Sequence, residues 1–194
     1  MLFLNKKKRK EFKCDNYRKI AFCFLIYDKI NNEKIWYDYI KGIDKSKYNI
    51  YIHYKKDVNI GYFQKYKINK TIDTCWGCVS IVLAQLEILK VALKDPCNKH
   101  FIWLSQACIP IKSFNYVYDN LDMDKSYYNI SPDCQLEDKV DSLLKYVKEV
   151  NIKKASMPSI INRKHAQLFI NNQDNIIDYQ SPSSDNNYQT FCGT

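Results

Sequence analysis

The chain has 194 residues, of which 46% are hydrophobic and 26% charged, a balance typical of one globular domain. Four glycines and five prolines are too few for a disordered or fibrous chain. The formal net charge of +9 favours anionic partners such as phosphorylated metabolites, nucleic acid or an anionic membrane.

Residues 6–10 (KKKRK) form a basic run ahead of the first apolar segment. Runs of like charge are usually solvated, so residues 1–18 are predicted to be a basic tail and residues 19–194 one domain. A localisation signal or a nucleic-acid-binding arm is the alternative for this run. No apolar segment approaches the ~20 residues of a membrane helix, and residues 1–4 are too short for a signal peptide.

The expected location is therefore the cytoplasm, and the eight cysteines are expected to be free thiols. Cys75 and Cys78 form a CxxC pattern. A zinc site would need a second ligand pair at metal spacing, and the three histidines lie far apart. The pattern therefore predicts neither a bound metal nor redox chemistry.

The first predicted elements form a βαβ unit with a right-handed crossover. Residues 19–27 (KIAFCFLIY) are apolar almost throughout, as in a strand buried on both faces. Residues 31–42 are predicted to be a helix with Ile35, Tyr39 and Ile40 inward and Gly42 as its stop. Residues 48–53 form the second strand.

The middle of the chain continues the alternation. Residues 62–72 are predicted to be loop with a short strand, and residues 80–93 a buried helix capped by Ser80. Residues 100–105 form a third strand that ends in the loop 106–110. Further helices are predicted at the ranges 113–121, capped by Ser113, 137–150 and 159–170, with loop from residue 171. The pattern predicts an open, mainly parallel α/β sheet flanked by helices.

Ligands of such sheets bind beyond the carboxyl ends of the strands. Three predicted ends carry polar side chains, at residues 27–29, 53–57 and 105–108. The alternative is that these residues only mark where each strand leaves the core. Asp122-Met123-Asp124 is a DxD pattern, which many glycosyltransferases use for a metal. Because it follows a predicted helix, we expect a solvated loop there, and we expect His165 to be a surface or partly buried residue.

Four sequence blocks carry a resemblance to a known family. In chain order they are WG at 76–77 with Ser80 opening a leucine-rich helix, LSxxCxP at 104–110 followed by Phe114, INRKHA at 161–166 and SDNNYQT at 184–190. From about residue 19 to the C terminus, the chain resembles the core-2/I-branching N-acetylglucosaminyltransferase family, including its plant and large-virus relatives.

The resemblance implies a GT-A-like fold and an inverting transfer of N-acetylglucosamine from a UDP-sugar to a glycan hydroxyl. It implies no bound metal, so cationic side chains would neutralise the departing diphosphate. The expected donor- and acceptor-binding residues are His53, Trp76, Ser105, Gln106 and Arg163. The expected partners are a UDP-sugar and a glycan or glycosylated acceptor.

The chain departs from the family at the residues that would run the reaction. Asn186 stands where the family has its catalytic Glu, with Asp185 beside it. The family's diphosphate-binding Arg and Lys lie beyond this loop, whereas the sequence ends at Thr194, so the C-terminal part of the family domain is expected to be missing. Either Asp185 is the base, or the domain is inactive and binds a nucleotide sugar, a glycan or a protein.

A third hypothesis is a nucleic-acid-binding protein, based on the +9 charge and sixteen tyrosines. Most of these tyrosines fall within strand and helix patterns, where core packing accounts for them. We therefore expect no nucleic-acid partner.

Overall fold

The computed structural model describes residue 14 and the ranges 18–76, 78–130 and 155–174. The strands are β1 (Lys19–Ile26), β2 (Tyr48–Tyr54), β3 (Asn98–Ser105), β4 (Tyr127–Ile130) and β5 (Ala155–Asn162). The α-helices are α1 (Glu33–Ile40), α2 (Ser80–Ala92), α3 (Phe114–Asn120) and α4 (Arg163–Asn171). Two 3-10 helices cover Lys45–Lys47 and Gly61–Tyr66.

The five strands form one sheet in the order β2-β1-β3-β5-β4. Strand β1 pairs in parallel with β2 on one side and with β3 on the other. Strand β5 runs antiparallel to both β3 and β4. The prediction of an open, mainly parallel GT-A-like α/β sheet flanked by helices is confirmed.

Large side chains fill the face of the sheet that α1, α3 and the Gly61–Tyr66 helix cover. Phe22 and Phe24 of β1 are almost fully buried there. The Phe24 ring meets the Trp36 ring edge-on, with centroids 5.0 Å apart. The Phe22 and Phe114 rings lie 6.3 Å apart, which joins α3 to the same cluster. Because side chains alternate along a strand, the even-numbered residues of β1 all face this aromatic layer.

Small side chains of β1 line the opposite face. Ala21 and Cys23 are completely buried beneath α2 and α4. Their size leaves room for helix residues such as Leu89, Ala92 and Ala166 to approach the sheet closely. Burial raises the pKa of the Cys23 thiol far above its usual range, so Cys23 acts as a small apolar residue.

Three helix ends were predicted from single residues, and one of these predictions, the cap of α2, is wrong. Gly42, just beyond α1, has a φ of 80°, a left-handed conformation that glycine adopts without strain. Ser113 caps α3 as predicted, because its hydroxyl accepts from the Tyr116 N–H. The prediction that Ser80 caps α2 is wrong. Ser80 is already the first helical residue, and its hydroxyl accepts from the Cys75 N–H instead.

Two other element predictions need correction. Residues 159–162 belong to strand β5 rather than to a helix, because this β-branched segment is hydrogen-bonded to β3. Pro158, which lacks an N–H, lies opposite a register irregularity in the pairing with β4. Residues 61–66 form a 3-10 helix where loop was predicted. Ile35 is 47% exposed, because Trp36 rather than Ile35 fills the inner face of α1.

The prediction that all cysteines are free thiols is also wrong. Disulfides join Cys14 to Cys97 and Cys75 to Cys78, whereas Cys23 and Cys108 are free. The fold brings Cys14 and Cys97 to a Cα–Cα distance of 5.3 Å, which is suitable for a bridge. Sequence spacing gave no signal for this pair. Structural disulfides are more common in oxidising compartments, and the cytoplasmic location stays a prediction.

Some predictions fall outside the described residues. These are the helix at 137–150 and the basic run at 6–10. The domain boundary at residue 19 stays a prediction; Cys14 and Arg18, which precede it, both contact the domain. Within the described ranges, none of the helices has the length and apolarity needed to cross a bilayer.

The aromatic layer is the basis of a stability prediction. Replacing Phe24 by Ala removes a fully buried ring and should lower the free energy of unfolding by about 3–5 kcal/mol. Ile35→Ala on the exposed face of α1 is the control and should change it by less than about 0.5 kcal/mol. Urea denaturation measures both, and equal losses would contradict the assignment of the inner face.

Candidate functional site

The carboxyl ends of β1, β2 and β3 lie side by side, because the three strands are parallel and paired in register. Tyr27 follows β1, and its ring is 44% exposed. The Nζ atoms of Lys55 and Lys56, which follow β2, lie 5.9 and 5.0 Å from the centre of that ring. Contact with Tyr27 raises the pKa of Lys56, which is therefore cationic at neutral pH. This arrangement combines an aromatic surface with two lysines, of which Lys55 is also paired with Asp73.

Gln106 joins the loops that follow β1 and β3. Its side-chain Oε1 accepts from the Tyr27 N–H at 2.9 Å, and its backbone carbonyl accepts from the Asn31 N–H at 2.9 Å. Farther along the loop, the Cys108 carbonyl accepts from the Trp36 indole N–H at 2.8 Å. Gln106 therefore fixes the backbone position of Tyr27, whose ring lies at this edge.

The Ser105–Cys108 turn explains the LSxxC block. The Cys108 thiol lies 3.3 Å from both the N–H and the hydroxyl of Ser105, and the Ser105 carbonyl accepts from the Cys108 N–H at 3.2 Å. The Ser105 hydroxyl also accepts from the Ala107 N–H. Both side chains thus close the turn at the end of β3.

A third segment, residues 67–76, lies beside β2. It is held by a bridge between Lys67 and Ile52, and by a hydrogen bond from the Ile72 N–H to His53 Nε2 at 2.8 Å. Lys55 Nζ donates to the Thr74 carbonyl at 2.5 Å and lies 3.2 Å from the Asp73 carboxylate. These contacts bring Asp73 and Thr74 to the same edge as Tyr27.

His53 is completely buried at the end of β2, and its ring binds the backbone N–H of Ile72. Because Nε2 accepts a hydrogen bond, the ring is the neutral tautomer with its proton on Nδ1, and Nδ1 has no partner among the described atoms. Burial lowers the pKa of His53, and the Glu87 carboxylate opposes this only partly. His53 therefore positions residues 72–76.

Trp76 is the most prominent aromatic side chain near this edge, with 70% of its surface exposed. It lies within the loop that the Cys75–Cys78 disulfide closes. The Ser80 hydroxyl fixes the same loop by accepting from the Cys75 N–H at 3.0 Å. A small covalent ring therefore presents the indole to solvent, two residues beyond Thr74.

Comparison with known proteins identifies the family. The model of the Core-2/I-Branching enzyme family matches residues 20–191, which is most of the chain. The chain belongs to the core-2/I-branching family. It is also 24% identical over 170 residues to the protein named glycosyltransferase BC10 from Oryza sativa subsp. japonica. That match covers 84% of this chain and 43% of the rice protein, so the chain spans less than half the length of this relative.

The opposite, amino-terminal edge of this core-2/I-branching sheet is sealed by internal contacts. The Arg163 guanidinium donates to the carbonyls of Leu93, Asp95 and Asn98 at 2.9 to 3.1 Å. Asp95 in turn accepts from Lys19 and Asn49, both at 2.8 Å. Arg163 therefore lies at the other end of β3 from Tyr27, and the structure does not bring it together with His53, Trp76, Ser105 and Gln106.

The DxD pattern is a turn after α3, as predicted. The Asp122 carboxylate accepts from the Asp124 N–H at 3.0 Å and pairs with Lys125 at 3.0 Å. The Asp122 carbonyl contacts the ring of buried His100 at 2.9 Å. His165 is half-buried and lies 2.6 Å from the Ser126 hydroxyl. Neither histidine is near the open edge.

The roles of Asp185 and Asn186 stay predictions, because both residues lie outside the described ranges.

At the open edge, Asp73 is paired with Lys55 and Asp57 with Lys67. Asp28 has no hydrogen-bond or ion-pair partner within the described part of the chain. Among the residues grouped here, Asp73 and Thr74 were not predicted as part of a site. The pairing of Lys67 with β2 and the contacts that His53 and Lys55 make with residues 72–74 bring them to the edge.

Buried His53 makes the stability of this family member depend on pH. Its pKa in the folded state lies below the ordinary value of 6.5, so the unfolded chain binds more protons at mildly acidic pH. The free energy of unfolding should therefore fall as the pH is lowered from about 7.5 to about 5.5.

In His53→Gln the amide oxygen can still accept from Ile72 but does not titrate, so the loss on acidification should be smaller. A residual loss from His100 remains, because burial also lowers its pKa. Urea denaturation at both pH values measures the difference. Identical losses in the two proteins would exclude His53 as the titrating group.

Proposed function

We propose that this chain is the donor-binding part of an inverting glycosyltransferase that uses a UDP-sugar. Family membership supports glycosyl transfer as the reaction class. Donor binding is assigned to this edge because the Tyr27 ring lies there with Lys55 and Lys56 beside it, at the carboxyl ends of three parallel strands. Open α/β sheets bind nucleotides at this edge.

Each part of a nucleotide sugar has a counterpart at this edge. The uracil ring can stack on Tyr27, and the ammonium group of Lys56 can pair with the diphosphate. The carboxylate of Asp28, which interacts electrostatically with Lys56, can accept hydrogen bonds from the ribose hydroxyls. Exposed Trp76 provides an apolar surface for a sugar ring of the donor or the acceptor.

The proposed reaction is a single displacement at the anomeric carbon of the donor sugar. Asp185 takes the proton of the acceptor hydroxyl, the acceptor oxygen forms a bond to the anomeric carbon, and the bond to UDP breaks with its electron pair leaving on UDP. Cationic side chains stabilise the charge on the departing diphosphate without a metal. The donor sugar is proposed to be N-acetylglucosamine and the acceptor a glycan.

The second candidate is a domain that binds the nucleotide sugar or a glycan but does not catalyse glycosyl transfer. Asn186 favours it, because an amide at the position of the family's Glu cannot take a proton at neutral pH. If the inactive domain binds the nucleotide sugar, the two candidates share the donor site and differ in whether Asp185 acts as a base.

Donor binding tests what both candidates share. Lys56→Gln removes one cation at the edge and should weaken UDP binding by about fivefold, or about 1 kcal/mol. Lys94→Gln, an exposed lysine at the amino-terminal edge, is the matched control and should leave the affinity unchanged. Isothermal titration calorimetry with UDP measures both. Equal effects of the two substitutions would place the diphosphate elsewhere.

Turnover separates the two candidates. Hydrolysis or transfer of UDP-N-acetylglucosamine, followed as released UDP, should be lost in Asp185→Ala by at least about a hundredfold. Asn186→Glu is the companion variant. Wild-type turnover that survives Asp185→Ala would remove Asp185 as the base. An inactive wild type that gains no activity in Asn186→Glu would favour the binding-only candidate.

A further inference from the structure

A cleft of about 230 Å³ lies between the C-terminal half of α1 and the 3-10 helix Gly61–Tyr66. The two helices are fixed to each other because the Glu33 carboxylate accepts from the Phe63 N–H at 3.1 Å. Gly61 permits this approach, since a Cβ there would meet the Glu33 carboxylate at 2.8 Å. The polar side chains that line the cleft are three tyrosines and three lysines: Tyr37, Tyr62, Tyr66, Lys41, Lys45 and Lys65.

Two of the tyrosines form a stacked pair, called here the aromatic platform, in which each ring covers one face of the other. The Tyr37 and Tyr62 rings are stacked, with centroids 4.3 Å apart and planes 22° from parallel. Tyr62 is 55% exposed and Tyr37 36% exposed, so the stacked pair is accessible from solvent. Such a surface suits the C–H face of a sugar ring, while the phenol hydroxyls can hydrogen-bond to sugar hydroxyls.

The three lysines leave the cleft with an uncompensated positive charge. Among the described residues, none of Lys41, Lys45 and Lys65 forms an ion pair with a carboxylate. The acidic groups on the adjoining elements are engaged elsewhere. Asp38 pairs with Lys34, and Asp44 accepts from the Ser46 N–H. The positive charge of the cleft therefore favours a ligand with negative charge.

The cleft is separate from the proposed donor site. Lys45 bonds to the hydroxyl of Tyr48, at the amino end of β2, whereas Lys55 follows its carboxyl end. At ~3.3 Å per residue, the strand holds the two ends roughly 20 Å apart. A ligand in the cleft and a donor at the open edge can therefore be bound at the same time.

We propose that this cleft is a second carbohydrate site, which binds a sugar residue of an acidic oligosaccharide. The stacked tyrosines hold the ring, and the lysines pair with its carboxylate and that of a neighbouring residue. The cleft is smaller than the ~300 Å³ typical of small-molecule pockets, which suits one ring of a longer chain. The site would hold a charged glycan near the domain whether or not the open edge is catalytic.

The test is calorimetry of the whole chain with trigalacturonic acid, its neutral methyl ester and inorganic phosphate. The acid should bind more tightly than either of the other two ligands. Tyr62→Ala, which removes the platform, and Lys65→Gln, which removes one charge, should each weaken its binding by about fivefold. UDP binding should be unchanged in both variants, which separates this site from the donor site.

The matched control is Tyr116→Ala. Tyr116 is also exposed, at 52%, and has a lysine, Lys112, beside its ring, but it is on α3 outside the cleft. It should leave trigalacturonate binding unchanged. Phosphate that binds as tightly as the acid, with no effect of Tyr62→Ala, would reduce the cleft to a simple anion site and overturn the proposal. No binding of the acid, or equal losses in Tyr62→Ala and Tyr116→Ala, would also overturn it.

Discussion

The parallel pairing of β1 with both of its neighbours is the constraint on which the rest of the structure depends. A strand with partners on both sides and helices on both faces is largely shielded from water, so its sequence must be apolar almost throughout. The same pairing brings the ends of β1, β2 and β3 to one edge. Tyr27, Lys55 and Gln106 meet there because each of them follows the end of one of these strands.

The division of side-chain size along β1 determines how the helices pack. Phe22 and Phe24 build a thick aromatic layer beneath α1 and the Gly61–Tyr66 helix. Ala21 and Cys23 allow α2 to lie close to the opposite face. The thick layer holds α1 and the 3-10 helix side by side, and the tyrosine and lysine cleft lies between them.

The two edges of the sheet differ in how their polar groups are used. At the amino-terminal edge, buried Asn98 accepts from Asn49 and donates to Tyr51 and to the Ala92 carbonyl, and Arg163 binds three further carbonyls. Donors and acceptors there satisfy one another, which stabilises the fold. At the carboxyl-terminal edge, Asp28, Lys56 and Trp76 remain open to a ligand. In a binding domain, a buried hydrogen-bond network stabilises one edge of the sheet. Polar groups at the other edge stay accessible to the ligand.

Local sequence patterns were enough to predict β1, β2, β3, α2 and α3, because buried strands are apolar runs and amphipathic helices have a helical period. Contacts between distant segments have no such local pattern in the sequence. The antiparallel β5, the Cys14–Cys97 disulfide and the docking of residues 67–76 on β2 depend on pairings between distant segments. Gln106 was predicted as a ligand-binding residue and that role stays a prediction, whereas its contacts with Tyr27 and Asn31, which support the loop after β1, were not predicted. Arg163 was expected to bind donor or acceptor, whereas its hydrogen bonds to three backbone carbonyls hold it at the sealed edge.

Binding of the donor nucleotide at the carboxyl-terminal edge can be tested by hydrogen–deuterium exchange of the whole chain with and without UDP, because protection reports the backbone next to the ligand. We expect slower exchange in the ranges 27–29, 55–57, 72–76 and 105–108, with residues 93–98 at the sealed edge unchanged. Protection of residues 93–98, or no change at any of these edge segments when UDP is present at saturation, would contradict it.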